Sequence, residues 1–424
     1  MNEVGAAVGD YARWVEELVR GGILTDPWFE GEPRFDTEPV VLGAAEHGRL
    51  LEVAEALAAA WDEGCRLCAG HPEWLDEFFG LTPFQKLMWA SSAPLWHGFA
   101  RIDLFQTSSG VVACELNCDT PTGQPEAVLL SERALRERPG LVDPNAGLEA
   151  AFSGVVEAMA AAFLPEGAPR AVGLIYPTEL TEDLPLVRLY TAWLERAGWQ
   201  VVLGSPYNLR PGSSGGLSLF GVDCPVILRH YKTDWWGERE VVWTDQQPYL
   251  DRAALEGPLA LLIEAVAAGA AVVLNPLGAV LGQNKKLMAL LWEKIDQLSA
   301  ESQATVRAHL PLTLRLEAVH QEQLFAQREE WVLKSDYGCE GAEVVVGRDC
   351  TQAEWELCLS KAAPGRFVVQ RYFEALPRPN GDSVNLGVYL YGGRAGGLYC
   401  RTQEGATDLG ARSAPCLVRE RDDA

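Results

Sequence analysis

A chain of 424 residues, 48% hydrophobic and 22% charged, has the length for two or three lobes and the composition of a globular protein. Acidic residues outnumber basic ones 59 to 35, and the formal charge of −24 repels nucleic acid and anionic membranes while attracting cations such as Mg2+ or a polyamine. Taken alone, that charge is accounted for more simply by general solubility.

The first 30 residues are acidic and mixed, without the basic start and apolar core of a signal peptide. No apolar run reaches the roughly 20 residues needed to span a bilayer. The nearest, "LALLIEAVAAGAAVVLNPLGAVLG", is divided by Glu264, Gly269 and Pro276 into helix, turn and strand. The cytoplasm is therefore the expected location. Ten cysteines are scattered along the chain, which favours reduced thiols over a disulfide framework. Cys65 and Cys68 form a lone CxxC inside a helical pattern, with no second pair at zinc-site spacing, and a buried helix face is the better reading.

Residues 1–97 are expected to be mostly helical, with "LEVAEALAAAWDEGCRLCAG" at helical spacing and "PFQKLMWASSAPLW" opened by proline. A hairpin follows over 98–117, turning at Thr107–Gly110, and helices resume through residue 167. From residue 168 the texture changes to "AVGLIYP", "EDLPLVRLYTAWLERAG" and "WQVVLGSP", a βαβ unit, continued by "CPVILRHY", "GPLALLIEAVAAG" and "AAVVLNP". This alternation predicts a small doubly wound α/β lobe over 168–276, with "RPGSSGGLSLFG" as a surface loop. Beyond it come one helix, "LGQNKKLMALLWEKIDQL", the strand–loop–strand "EWVLKSDYGCEGAEVVVG", the strand "RFVVQRYF" and a hairpin turned at Gly392–Gly393.

The first hairpin carries the clearest chemistry. Residues i and i+2 of a strand share a face, so Arg101 and Asp103 lie together, as do Glu115 and Asn117. With the arms antiparallel, the four converge: a guanidinium fork for phosphate and three hard oxygen donors, the set of an Mg2+ site beside a nucleotide. Leu104, Val112 and Leu116 would pack the opposite face. A solvated hairpin face with a weak ion pair is the competing account, and spacing alone favours it. The loop "DTPTGQPE", ending at a helix start, shifts the balance toward a ligand held near backbone N–H groups. In the last part, Lys334 stands beside the glycine loop "SDYGCEG" and suits a phosphate clamp as well as a bare hairpin. On this sequence alone Lys285 is a solvated helix lysine, and Gln370 fits a strand edge as well as an adenine pocket.

Together these segments, "RIDLF…ACELNCDTPTG", "NPLGAVLGQNKKLMALLWE", "WVLKSDYGCEGAEVVVG", "FVVQRYFEALP" and "GGLYCR", resemble the glutathionylspermidine synthase family of circularly permuted ATP-grasp ligases over residues 98–402. The resemblance implies an α/β (α+β overall) protein with an ATP-grasp-like fold: antiparallel nucleotide-clamping lobes and a small doubly wound pre-ATP-grasp lobe. The implied division is a helical region 1–97, a metal-hairpin part 98–167, the α/β lobe 168–276 and a nucleotide part 277–424. It implies further that Asp103, Glu115 and Asn117 bind Mg2+, with two ions expected, and that Arg101 and Arg401 contact the transferred phosphate. Lys285, Lys334, Gly338 and Gly341 would hold the phosphates of ATP, and Gln370 would lie near the adenine. The implied reaction joins a small-molecule acid to an amine, a polyamine being one candidate, through an acyl phosphate. A phosphotransferase, or a regulatory ATP-binding protein without ligase activity, is the alternative. The chain departs from the family pattern at Cys339, where an arginine is expected, and its N-terminus has no room for the amidase domain of bifunctional relatives.

Overall fold

The computed structural model describes residues 3–237, 241, 243–247, 254–338, 343–405 and 410–421. Three sheets organise them. The four strands Ala171–Ile175, Gln200–Gly204, Val226–Arg229 and Val272–Leu274 are all parallel, with Val272–Leu274 and Gln200–Gly204 at the two edges. Their near-continuous apolar sequences suit a sheet covered on both faces by helices such as Leu184–Arg196 and Glu256–Ala267. The second sheet is antiparallel and five-stranded, in the order Arg412–Ala414, Arg394–Gln403, Ser383–Tyr391, Phe99–Thr107, Gly110–Asn117. The third, also antiparallel, runs Thr313–Arg315, Phe367–Arg371, Trp331–Ser335, Val344–Val346.

Long-range pairing changes the local expectations in three places. The N-terminal region is not helical throughout: Val40–Leu42 pairs in parallel with Cys416–Arg419, which also pairs with Leu141–Val142. The expected loop "RPGSSGGLSLFG" contains the strands Leu209–Pro211 and Leu217–Leu219, paired to each other, because Leu209, Leu217 and Leu219 bury against the α/β core. The single helix expected over "LGQNKKLMALLWEKIDQL" is two, Ala279–Gly282 and Lys286–Glu293, parted at Gln283 and Asn284. The Asn284 oxygen accepts from the N–H of Lys286, the local bonding that competes with a helix, while the Gln283 oxygen accepts from the distant N–H groups of Cys118 and Asp119.

The 27-residue helix Ala44–Gly70 buries Leu50, Val53, Ala54, Leu57, Trp61, Cys65 and Cys68 beneath the far face of the five-stranded sheet. Cys65 and Cys68 are thus free thiols within an apolar seam, and burial pushes the Cys68 thiol up to about 12. Thr82 and Gln85 close a reciprocal cap on the helix Pro83–Ser92, with the proline at the position where its missing N–H costs nothing. Asn275 joins the parallel sheet to the hairpin. Its Oδ1 accepts from the N–H groups of Gly98 and Phe99, and its Nδ2 donates to the carbonyls of Phe99 and Cys118. No described helix is long and apolar enough to cross a membrane.

Candidate active site between two antiparallel sheets

The hairpin forms with its turn at Thr107–Gly110, and Arg101 faces Asn117 while Asp103 faces Glu115. The four side chains singled out by spacing therefore share one face. Immediately beyond Glu115 the register shifts, so that Leu104 pairs with Ala113 and Cys114 is left as a bulge. The bulge moves Val112 opposite Phe105, and Ala113, not Val112, joins Leu104 and Leu116 in the core. It also turns the Cys114 carbonyl out of the ladder. That carbonyl accepts from Lys334 Nζ at 3.1 Å, tying the hairpin to the opposite sheet.

Asp103 is completely buried, and three neighbours claim its carboxylate. Arg101 donates from Nε to Oδ1 at 2.6 Å and from a terminal nitrogen to Oδ2 at 3.0 Å, a bidentate pair. Arg401 adds a bond to Oδ2 at 2.9 Å, and Asn385 another at 3.4 Å. Arg101 can lie across the sheet only because residue 387 is glycine: a Cβ there would stand 2.7 Å from Arg101 Cδ. Its remaining guanidinium nitrogen holds the carbonyl of Thr122 at 2.9 Å, which fastens the loop after the hairpin.

Glu115 keeps about a fifth of its side chain in contact with solvent and lies 3.5 Å from Lys285 Nζ. Burial would raise its pKa, but Lys285, Lys334, Arg401 and Arg101 together hold it down to about 2. Adjacent helix positions point about 100° apart, and here that separates two lysines completely. Lys285, at the start of its helix, donates to the Gly338 carbonyl at 2.5 Å and faces the site. Lys286 points the other way, to the carbonyls of Phe78 and Phe79 at 3.3 and 3.2 Å.

Lys334 Nζ is held by Gln370 Oε1 at 2.8 Å, and the Gln370 amide nitrogen donates to Thr313 Oγ1 at 3.0 Å. Gln370 is 1% exposed, so in this arrangement it sets the position of Lys334 and presents no free edge to a base. Gly338 sits beside Lys285, whereas Gly341 and the departure at Cys339 lie outside the described residues.

The site thus gathers Arg101, Asp103, Glu115, Asn117, Lys285, Lys334, Gln370 and Arg401 from strands and a helix far apart in sequence. Four cations act on Glu115, and among the described residues Asp103 and Glu115 are the carboxylates directly bonded or paired to them, an excess of positive groups. In a strongly acidic protein such an excess suits a polyanion. Sequence reasoning missed Asn385, although an asparagine in the apolar strand "SVNLGVYLY" marks a polar spot on one face. It also missed Asp119, whose carboxylate pairs with buried Arg229 at 2.6 Å and accepts from Thr233, locking the loop to the parallel sheet.

Two antiparallel sheets facing each other across such a cluster, with a parallel lobe alongside, define an ATP-grasp-like fold. Its overall course is shared with the apo structure of a glutathione synthetase like-effector (GSS30) from Globodera pallida, at a TM-score of 0.61 over 99% of this chain and 98% of that one, with 10% identity. A candidate gamma-glutamylcysteine synthetase from Methylobacillus flagellatus KT aligns over 85% of this chain and 84% of its own, with 15% identity and a TM-score of 0.44. No curated protein sequence matches the chain. Residues 249–419 match the family model described as glutathionylspermidine synthase pre-ATP-grasp, which bears out the resemblance to that family over this part of the chain. The match takes in Lys285, Lys334, Gln370, Asn385 and Arg401; the Asp103 hairpin stands upstream of it.

Proposed function

We propose that this protein is an ATP- and Mg2+-dependent ligase that joins the carboxylate of an amino acid or small peptide to an amine through an acyl phosphate. The observation that carries this reading is the set of cations around Glu115 between the two sheets, buried Arg101, Lys285 and Lys334 and half-buried Arg401. Phosphoryl transfer needs positive charge and fixed geometry more than a protein nucleophile. In this reading Lys285 and Lys334 hold the nucleotide phosphates. Arg101 and Arg401 neutralise the phosphoryl group as it passes to the acid, and the amine then displaces phosphate from the acyl carbon. The four proposed segments, 1–97, 98–167, 168–276 and 277–424, would supply the covering helix, the metal hairpin, the α/β lobe and the phosphate lysines. The cytoplasm is the proposed location, and the acidic surface suits a polyamine as the amine.

The residues present fit a divalent ion only together with phosphate oxygens. No group of three or more His, Cys, Asp or Glu among the described residues could hold an ion alone. Asp103 and Glu115 offer hard oxygens, but both Asp103 oxygens are engaged by guanidinium groups, so Glu115 is the more available donor. When bound, Mg2+ would neutralise phosphate charge.

Purified protein incubated with ATP, Mg2+ and pools of acids and amines should release ADP only when one acid and one amine are both present. ATP binding without acceptor-dependent release would leave a regulatory site, and absence of ATP binding would refute the reading. Lys285→Met should weaken nucleotide affinity about 10- to 100-fold, the worth of one charge-assisted bond, whereas Lys286→Met should leave it unchanged. Calorimetric titration of both variants decides this; equal effects would remove Lys285 from the phosphate site.

A further inference from the structure

The notion of Asn117 as an oxygen ligand meets a constraint from its neighbour Gln283. The backbone N–H groups of Cys118 and Asp119 both point at one atom of the Gln283 amide, at 2.8 and 3.1 Å. Backbone N–H groups only donate, so that atom is the oxygen. The other amide atom is then nitrogen, and it lies 3.4 Å from Asn117. Asn117 must meet it with Oδ1, since the reverse orientation would set two N–H groups against each other. The Asn117 Nδ2 is left over. It is buried and meets no acceptor among the described residues. Its side chain shares the hairpin face with Glu115 and Arg101, where the proposed function places phosphate.

We infer that Asn117 serves this site as a hydrogen-bond donor to a phosphate oxygen of the nucleotide, and that Gln283 is the positioning residue that fixes the amide in that sense. The inference rests on the functional reading above. It assigns the divalent ion to carboxylate and phosphate oxygens and leaves the Asn117 oxygen out of its coordination. A buried amide N–H without an acceptor is costly, and a phosphate oxygen supplies the missing partner with a charge-assisted bond.

The test separates nucleotide binding from metal binding. Affinity for a non-hydrolysable ATP analogue is measured calorimetrically in EDTA, and Mn2+ affinity of the protein saturated with that analogue by electron paramagnetic resonance. Asn117→Ala should lose about tenfold in analogue affinity in EDTA, the worth of one such bond, and keep its Mn2+ affinity. Gln283→Glu retains an acceptor for both backbone N–H groups but offers Asn117 an oxygen. The amide should turn over, weakening the analogue in EDTA and tightening Mn2+, a pairing that mere loosening of the loop would not produce. Circular dichroism and melting check the fold, and Asn117→Leu, closer in volume, replaces the alanine variant should that one unfold. Unchanged analogue affinity in Asn117→Ala together with lost Mn2+ affinity would overturn the inference and make Asn117 an ion ligand. Wild-type protein that binds no analogue under either condition overturns the functional reading, and this inference with it.

Discussion

Asp103→Ala is expected to stop turnover and to lower the stability of the fold by about 3–5 kcal/mol, the cost of leaving a buried charge without its partner. The size of the effect follows from what surrounds the carboxylate. Asp103 is fully buried, Arg101 is nearly so, and Arg401 and Asn385 bond to the same oxygen. Removing the anion leaves two guanidinium groups facing each other without compensation. Adding Arg401→Met to Asp103→Ala should therefore recover part of the stability while leaving turnover at zero. Denaturant unfolding together with ADP release separates the two consequences. A single variant as stable as the parent would mean that water replaces the carboxylate at little cost, and the buried ion cluster would lose its structural role.

Stability is also expected to decline in two steps as the solution is acidified. Both nitrogens of His97 are buried without a partner among the described residues, and its ring stacks on Trp96 at 3.7 Å. Burial, only partly opposed by Asp62, lowers its pKa from 6.5 to about 4. The fold favours the neutral ring, so this contribution is complete above pH 6.5 and disappears as pH falls through about 4. Glu115 acts in a lower window. Its cations hold it at about 2 against an ordinary 4.5, so its contribution is complete above pH 4.5 and lost toward pH 2. Each step is worth on the order of 3 kcal/mol. His97→Phe should flatten the first step and Glu115→Gln the second, with Glu115→Gln also abolishing turnover at neutral pH. Urea unfolding measured across this pH range shows both, and a parent profile flat between pH 6.5 and 4 would dismiss the role given to His97.

The parts of the site visible in the sequence were those set by a local period. The alternation along a strand places Arg101 with Asp103 and Glu115 with Asn117 whatever the rest of the chain does, and their facing register followed from the short turn. The bulge at Cys114 was not visible, because its carbonyl is drawn out by Lys334 more than two hundred residues away. That Lys285 and Lys286 diverge follows from the helical step, but which of them faces the site depends on partners distant in sequence, Gly338 for Lys285 and Phe78 and Phe79 for Lys286. Most of the fold was open to alternation of apolar runs, the parallel sheet above all. The pairing of Val40–Leu42 with Cys416–Arg419 was closed to it, since three-residue strands carry no period and their partner is at the other end of the chain. Asn385, Gln283 and Asp119 escaped notice because each is one ordinary polar residue whose importance lies in what it touches.

The bond between Arg401 and Asp103 spans 298 residues of sequence. At the usual rate of protein synthesis, about 5–20 residues per second, Asp103 leaves the ribosome some 15–60 s before Arg401 exists. Through most of that interval the hairpin lacks its neighbouring strand on the Asp103 side, Ser383–Tyr391, and the strand Arg394–Gln403 beyond it, since both are among the last segments made. An emerging chain can thus complete its parallel sheet long before it can complete a phosphate site. A ribosome that stalls after the α/β strands would release a product with a finished lobe and no chemistry.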